Sequence, residues 1–277
     1  MNTRHNFLNS QFFKFEKLNF NWHNHPVFKL MNNPTENEIF LGLTIEPLIF
    51  LNDLKLENSV FNPDYLIFAS RHTSETARPS FLVHTTGNWS NVADFGGDPQ
   101  DLSKTSALLH KAGFISLIEQ KFSKVLSEFS IDIEVTHHGP TTLNKPLIFM
   151  ELGSSENEWE IKDAGELITK AIFSAIHKFI QLEKNGNQII GLGFGGSHYA
   201  PSFQRIILNK NVAMSFICPK YYIQGLNKEI IKKMIDNTSE KIDYFLIDWK
   251  GTNSADKNHL IPLLEDFNIP IKKTKDV

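Results

Sequence analysis

The sequence contains a single cysteine, Cys218. One cysteine excludes an internal disulfide and any zinc site that needs several thiolates, so a metal ion would have to be held by histidines and carboxylates. No apolar run approaches the roughly 18 residues of a membrane helix, and runs such as Pro47–Leu51 have the length of a strand. The first residues mix polar and apolar side chains and have no continuous signal-peptide core. We therefore expect a cytosolic protein that does not contact a membrane.

A large excess of charge of either sign is also missing. The net charge is -3, which argues against a protein that coats nucleic acid unspecifically. The charge is nevertheless uneven, because residues 202–277 carry twelve basic and nine acidic side chains and the first 201 residues carry sixteen and twenty-two. This difference reflects either chance and solvated helix faces, or a mildly basic flank suited to a local RNA contact.

Short apolar runs, rich in β-branched and aromatic residues, predict nine buried strands. The runs are Ile39–Ile45, Tyr65–Ser70, Ser80–Thr85, Ile131–His137, Leu147–Gly153, Gln188–Phe194, Phe203–Leu208, Ala213–Cys218 and Asp243–Trp249. Apolar residues at a spacing of three to four predict helices over Ser103–Phe129, Asp163–Lys184, Asn227–Asn237 and Asn258–Phe267. Gly113 is a candidate break in the first helix, and Asn185-Gly186 ends the second.

Strands that alternate with helices predict an α/β protein with a mixed, largely parallel sheet and flanking helices. Phe203–Leu208 and Ala213–Cys218 read as a hairpin across Asn209–Asn211, which favours a smaller C-terminal α/β subdomain. We therefore expect an N-terminal segment of residues 1–38 without a clear pattern, a main α/β domain of residues 39–201 and a C-terminal subdomain of residues 202–277.

Polar side chains follow six of the predicted strands. They are Arg71-His72, His84 to Asn88, His137-His138, Glu151, Ser197 to Tyr199, and Asp248 to Lys250. Ligands of open α/β sheets lie outside the carboxyl ends of the strands, so these residues predict an enzyme site at that edge. A merely polar rim is the alternative.

The histidines and one carboxylate of this set are candidate metal ligands. His84, His137, His138, Glu151 and His198 come from four separate strands, so no local spacing identifies the site. Adjacent strand residues point to opposite faces, but the Gly139-Pro140 turn permits both neighbouring histidines to serve one site. A metal-free pair of His with Thr, Asp or Glu stays open as an alternative.

The stretch GLGFGG matches the glycine pattern of dinucleotide-binding folds at Gly191, Gly193 and Gly196. The pattern needs a helix directly after it, and Pro201 followed by a predicted strand argues against one. A glycine-lined wall close to a ligand is the better interpretation.

Six blocks of the sequence resemble the archaeal and plant-type D-aminoacyl-tRNA deacylase family. The blocks are ASRHTS (Ala69–Ser74), VHTTGNW (Val83–Trp89), EVTHHGPT (Glu134–Thr141), MELGSSENEW (Met150–Trp159), GFGGSHYAP (Gly193–Pro201) and DWKG (Asp248–Gly251). They cover roughly residues 60 to 260 in the family's order. The strand and Asp-Pro-Ala-like turn with which family members open is not found in residues 1–40.

The resemblance implies a phosphorylase/peptidyl-tRNA hydrolase-like fold and a monomer that uses two zinc ions. It implies hydrolysis of the ester between a D-amino acid and the 3′ end of tRNA. We expect His84, His137, Glu151 and His198 to hold zinc that activates a water molecule. The expected catalytic residues are His138, Asp248 and Glu134. The expected substrate-binding residues are Arg71 and Lys250 at tRNA phosphates, His72, Asn88, and the Gly195 and Gly196 amides at the oxyanion.

Two other functions are compatible with the sequence. A nucleoside phosphorylase-like or other metal-dependent hydrolase would use the same fold class. A non-catalytic RNA-binding protein would not need the strand-end histidines, and the negative net charge argues against it.

Overall fold

The computed structural model describes residues 3–10, 12–33, 35–56, 62–120 and 124–277. A short helix, α1 (Thr3–Leu8), precedes a hairpin of β1 (Phe15–Trp22) and β2 (His25–Leu30), to which β3 (Phe40–Leu41) adds. His23 and Asn24 have φ angles of 48° and 61°, as a two-residue hairpin turn requires. The segment in which the sequence shows no pattern therefore forms an antiparallel sheet.

A four-stranded mixed sheet follows, in the order β4-β9-β5-β8. Its strands are β4 (Leu66–Arg71), β5 (Ser80–His84), β8 (Ser130–Ile133) and β9 (Leu147–Gly153). β9 is parallel to β4 but antiparallel to β5, and β5 is parallel to β8. The short strands β6 (Gly87–Asn88) and β7 (Asp101–Leu102) pair beside it.

The second four-stranded sheet is parallel throughout and has the order β11-β10-β12-β13. Its strands are β10 (Ile189–Phe194), β11 (Val212–Cys218), β12 (Tyr244–Ile247) and β13 (Ile271–Lys273). The prediction of an α/β protein with a mixed sheet is confirmed. This sheet joins strands from both sides of the expected boundary at residue 201, and the three-part division of the chain stays a prediction.

Helices pack around these sheets over one large apolar cluster, and a second, smaller cluster lies around Phe68 and Phe149. They are α2 (Ala107–Ile118), α3 (Glu156–Trp159), α4 (Lys162–Asn185), α5 (Pro201–Asn209), α6 (Lys228–Asp236) and α7 (Ser254–Glu265), with 3₁₀ turns at Leu48–Phe50, Lys124–Leu126 and Lys220–Gly225. Gly186, at φ 60°, ends α4 as expected, and the Asn227 side chain caps α6. Among the described residues, no helix combines the length and apolar character of a membrane span.

The expected break of the first long helix at Gly113 is wrong. Gly113 lies inside α2, where a Cβ atom would come within 3.1 Å of Val83 and 3.2 Å of Ile148. The glycine therefore lets α2 approach the mixed sheet closely. The predicted helix extended to Phe129, but α2 ends at Ile118, and residues 121–123 lie outside the described part of the chain.

The predicted hairpin across Asn209–Asn211 is also wrong. Residues 203–208 belong to α5, which begins with Pro201 in its first turn, and β11 then runs parallel to β10. Phe203, Ile206 and Ile207 are buried, as the 3.6-residue period of a helix requires. Six residues are too few for periodicity to separate this pattern from a strand.

Other predicted elements differ at their ends. Only Phe40–Leu41 of the predicted strand Ile39–Ile45 pairs, and α7 begins at Ser254 rather than Asn258. The strand predicted over Ile131–His137 ends at Ile133. Beyond it, Val135 N–H donates to His198 O and Thr136 N–H to Ile217 O. Residues 134–138 therefore connect the mixed sheet with the parallel sheet, and the site lies at this junction.

Candidate active site

Histidines and glutamates from both sheets converge on one face of the mixed sheet. His84 of β5 pairs with Phe149 of β9, and Glu151 pairs with Leu82 two residues away. Because side chains two residues apart share a face, His84 and Glu151 are diagonal neighbours. The expectation of a single carboxyl edge is wrong here, since β9 runs antiparallel to β5. The site uses a sheet face and the loops that cross it.

Three imidazole rings form the first part of the site. The ring centroid of His84 lies 4.3 Å from that of His137 and 4.8 Å from that of His138, and the last two are 4.5 Å apart. Each Nδ1 lies within 3.1 Å of a backbone carbonyl, that of Thr85, Val135 or Gly139. These bonds assign Nδ1–H to each ring, which leaves the Nε2 lone pairs free.

The turn at Gly139 explains how adjacent histidines serve one site. His138 adopts a φ of 42°, so the alternation of a strand does not apply there. A Cβ on Gly139 would lie 2.3 Å from the backbone at Gly96 and Gly97. The loop around Gly96 therefore packs directly against the turn and holds both rings in place.

Glu134 and His198 form the second part of the site. Oε1 of the buried Glu134 lies 2.9 Å from Nε2 of His198, and Oε2 lies 3.9 Å from Nε2 of His137. The other nitrogen of His198 lies 3.2 Å from the hydroxyl of Tyr221, which is 55% exposed. His198 thus joins a buried carboxylate to the open side of the site.

His72 and Glu151 form the third part. Nδ1 of His72 lies 3.2 Å from Oε2 of Glu151 and 3.8 Å from Oε2 of Glu134. Oε2 of Glu151 also lies 3.7 Å from Nε2 of His84, which connects this part to the three imidazoles.

The protonation of these groups follows from burial and neighbouring charge. Burial and the nearby His84, His138 and His198 rings lower the pKa of His137 well below its ordinary value. Burial and the charge of His84 lower the pKa of His138 to about 4. Both rings are therefore neutral at pH 7, which is the state of a metal ligand.

The carboxylate of Glu151 has the opposite effect on the pKa of the neighbouring histidines. Burial opposes its charge, but the hydrogen bond from His72 and the neighbouring His84 and His138 rings hold the pKa of Glu151 far below its ordinary value. Burial likewise opposes protonation of His72 and His84, and the interactions with Glu151 outweigh it and raise the pKa of each ring. Glu151 is an ionised carboxylate throughout the neutral range.

The other predicted site residues lie around this cluster. Arg71 is exposed and stacks over Trp159 at 4.8 Å, and Lys250 is exposed. The Asn88 side chain donates to the carbonyls of Gly96 and Asp98 and so shapes the loop against the histidine turn.

Asp248 and the two glycine amides are engaged within the protein. The Asp248 carboxylate accepts from Gly251 N–H, at 3.1 Å. Gly195 N–H donates to Cys218 O and Gly196 N–H to Gly251 O, so neither amide is free for an oxyanion. The expectation that no helix follows the GLGFGG stretch is wrong, because α5 does follow the glycines. A dinucleotide site is still not supported, since the Gly195 and Gly196 amides are already bonded.

Tyr221 is the residue that the sequence interpretation missed. It lies in the 3₁₀ turn Lys220–Gly225, just after the carboxyl end of β11. The rule that pointed to the other strand ends would have found it, but the predicted hairpin removed that strand from the parallel sheet.

The residues present fit a metal ion. Three groups place one ligand atom of each member within 4.8 Å of the others: His84-His137-His138, Glu134-His137-His198 and His72-Glu134-Glu151. The buried atoms Nε2 of His72, Nε2 of His84 and Oε2 of Glu134 have no hydrogen-bond partner. Buried polar atoms rarely stay unpartnered, and imidazole and carboxylate are zinc ligands. The four expected ligands are divided among these groups, and their roles stay predictions.

Mixed α/β sheets that carry a buried group of histidines and carboxylates define the class: a protein whose site has groups suited to proton transfer and able to hold a metal ion. The sequence model of the D-aminoacyl-tRNA deacylase family matches residues 59–272. The chain belongs to this family of hydrolases.

Individual relatives agree with this assignment. The D-aminoacyl-tRNA deacylase of Methanocaldococcus jannaschii is 34% identical over 211 residues, covering 74% of this chain and 80% of the relative. That of Archaeoglobus fulgidus is 34% identical over 243 residues, covering 87% and 84%. That of Thermococcus kodakarensis is 29% identical over 274 residues, covering 97% and 93%.

One solved structure is similar over nearly the whole chain. It is a crystal structure described as that of a conserved protein of unknown function, with a TM-score of 0.81 and 31% identity, covering 99% of this chain and 91% of the other. The likeness includes the N-terminal segment in which no family motif was found.

Proposed function

We propose that this protein hydrolyses the ester bond of D-aminoacyl-tRNA and releases the D-amino acid and free tRNA. The observation that supports this most directly is the convergence of five histidines and two glutamates, within the segment that the family model matches. Ester hydrolysis needs an activated water and stabilisation of negative charge on the ester oxygen, and this cluster has the groups for both.

In this proposal the three imidazoles hold one zinc ion, and His72, Glu134 and Glu151 hold a second. Zinc supplies a Lewis acid that lowers the pKa of water and stabilises developing negative charge. His138 thereby moves from the expected general base to a ligand, because its Nε2 faces the same point as those of His84 and His137. Glu151 remains a proposed metal ligand, but it shares its ion with His72 and not with His198.

His198 is the proton acceptor in this scheme. Glu134 accepts the Nε2–H of His198 and so fixes the ring with its Nδ1 towards the open side of the site. The proton of the attacking water passes to Nδ1, and the negative charge of Glu134 stabilises the imidazolium that forms, as the carboxylate of a catalytic triad does. The same ring then returns the proton to the ribose oxygen of the leaving tRNA.

Further predictions concern the contacts with tRNA, the fold, the oligomeric state and the location of the protein. We propose that Arg71 and Lys250, both exposed beside the site, contact phosphates of the tRNA 3′ end. The phosphorylase/peptidyl-tRNA hydrolase-like fold, the monomeric state and the cytosolic location stay predictions.

The direct test is hydrolysis of D- and L-aminoacyl-tRNA by protein that has been dialysed against a chelator, with and without added zinc. We expect loss of the D-ester that depends on zinc and is faster than loss of the L-ester. Full activity of protein shown by elemental analysis to be zinc-free would contradict the metal assignment. Release of free base from nucleosides, with no ester hydrolysis, would instead favour a nucleoside phosphorylase-like function.

A further inference from the structure

In the part of the chain that the structure describes, nine basic side chains of residues 202–277 have no acidic partner, and six of these nine belong to one surface group. The six are Arg205, Lys210, Lys250, Lys257, Lys273 and Lys275. Among the described residues, none of the six forms an ion pair, whereas Lys162 and Lys170 share Glu166, and Lys228 and Lys232 pair with Asp266 and Asp236. All six are exposed or half-buried. Unpaired cations in one region of an acidic protein form a local attraction for anions.

Three of these cations line a cleft between α5 and the segment 274–277. The cleft has a volume of about 340 Å³, and Arg205, Lys210 and Lys275 lie along it. Its other polar lining residues are Ser202, Asn209 and Thr274, which supply neutral hydrogen-bond donors. No Asp or Glu is among its described lining residues. The cations and neutral donors along the cleft are suited to an anion, and Ile206 and Val277 supply an apolar part of its lining.

Two more of the cations are held against Trp249. Nζ of Lys257 lies 4.6 Å from the centroid of the Trp249 ring, and Nζ of Lys273 lies 4.4 Å from it. The exposed ring thus keeps two ammonium groups close together. Lys273 is followed directly by Thr274 and Lys275, so this pair continues into the cleft. We call the six cations together the basic track.

The basic track begins next to the candidate active site. Gly196 N–H donates to Gly251 O, which places the loop with Trp249 and Lys250 against the residues just before His198. α5 begins three residues after His198, and its Arg205 and the following Lys210 lie along the cleft. A polyanion bound along the track would therefore have one end at His198.

We propose that the basic track binds the phosphates at the acceptor end of tRNA and so directs the 3′ ester to His198. This inference rests on the proposed function. A polynucleotide fits better than a single phosphate, because the cations are spread over α5, α7, the end of β13 with the segment after it, and the loop after β12. The net charge of -3 repels RNA from the rest of the surface and so favours one orientation.

The test compares three double variants that change the net charge equally. Arg205→Glu/Lys210→Glu and Lys257→Glu/Lys273→Glu alter the two halves of the track. Lys162→Glu/Lys170→Glu is the matched control, because Lys162 is exposed and Lys170 half-buried on α4, and Lys170 also lies over a ring, that of Phe12. Circular dichroism and thermal unfolding verify the fold. Glutamine replaces glutamate in any variant that fails to fold.

The first measurement is the affinity for uncharged tRNA at several salt concentrations, which does not depend on activity. We expect each track variant to raise Kd about tenfold or more and to reduce the slope of log K against log salt by about 1 for each phosphate that is no longer neutralised. The control is expected to change Kd less than about twofold. Equal weakening in the track variants and the control, or unchanged affinity in all of them, would overturn the proposal.

The second measurement separates tRNA recognition from chemistry. With D-aminoacyl-tRNA, the track variants should raise KM in proportion to the change in Kd and leave kcat unchanged. With the D-aminoacyl ester of adenosine, which lacks the phosphates, they should behave like wild type. Equal loss of activity on both esters would overturn the inference. If wild type hydrolyses neither ester, the proposed function fails. The tRNA affinities then still test by themselves whether the basic track binds tRNA.

Discussion

Nε2 of His198 lies 2.9 Å from Oε1 of Glu134, a carboxylate 64 residues earlier in the chain. The Glu134 side chain has no exposed surface, whereas that of His198 is 38% exposed. A buried charge therefore fixes the orientation of a ring that substrate can reach. This contact makes Glu134 the residue on which the action of His198 depends.

Glu134→Gln tests this dependence. The amide keeps the shape of the side chain but cannot stabilise a charged imidazole, so we expect kcat to fall by about 10² to 10⁴. Glu46→Gln is the matched control, because Glu46 also bonds a histidine, His23, at 3.1 Å, outside the site. Steady-state kinetics on D-aminoacyl-tRNA gives the answer, and a kcat within about twofold of wild type would refute the role of Glu134.

Tyr221→Phe tests the other nitrogen of His198. Burial, together with the nearby Tyr222, Cys218 and Glu134, raises the pKa of Tyr221 to about 12, so the hydroxyl stays protonated and donates to Nδ1 until the attacking water takes its place. Losing one such bond, worth about 1 kcal/mol, should lower kcat by about fivefold and change KM little. Tyr222→Phe is the control, since Tyr222 is next in sequence. If both variants have the same kcat, the hydroxyl of Tyr221 does not position His198.

Because His110 is buried, we expect the folded protein to lose free energy of unfolding in acid. His110 lies in α2, where its Nδ1–H donates to Met214 O at 2.9 Å, and burial lowers its pKa to about 4 from an ordinary 6.5. Between pH 4 and pH 6.5, the unfolded chain therefore binds a proton on His110 that the folded chain does not bind. The free energy of unfolding should fall as pH drops from 6.5 to about 4, by about 3 kcal/mol from this group, and fall no further from it below pH 4.

His110→Asn separates this contribution from those of other groups. Asparagine keeps a donor near Met214 O and does not titrate. Urea unfolding at pH 7 and pH 4.5 should show a smaller difference for the variant than for wild type. The same pH dependence in both proteins would show that His110 is not responsible.

Gly139→Ala should disturb the turn that presents both histidines. The new Cβ would meet the backbone of the loop at Gly96, which cannot rotate away as a side chain can. We expect a loss of about 3 kcal/mol in the free energy of unfolding, together with weaker zinc binding. Gly225→Ala is the control, because nothing lies within 4 Å of its position. Equal stability of the two variants would contradict the close packing at Gly139.

Much of the local structure followed from the sequence. The apolar stripe of α4 and the glycine that ends it were predictable because both depend on neighbouring residues within a few turns. The strands carrying His84 and Glu151 were predictable from continuous apolar runs. The motif blocks around these residues were sufficient to predict the family that the comparisons then showed.

The sequence by itself indicated the histidines and glutamates that meet at the site, and the tertiary structure decided how they are grouped and added Tyr221. A strand pattern reports burial but not the direction of its neighbour, so the antiparallel pairing of β9 with β5 was not predictable. That pairing places His84 beside Glu151 on a sheet face. Glu134, His198 and Tyr221 meet because residues 134–138 leave the mixed sheet and bond to the parallel one. Such contacts depend on pairings between segments far apart in the chain, and local periodicity carries no information about them.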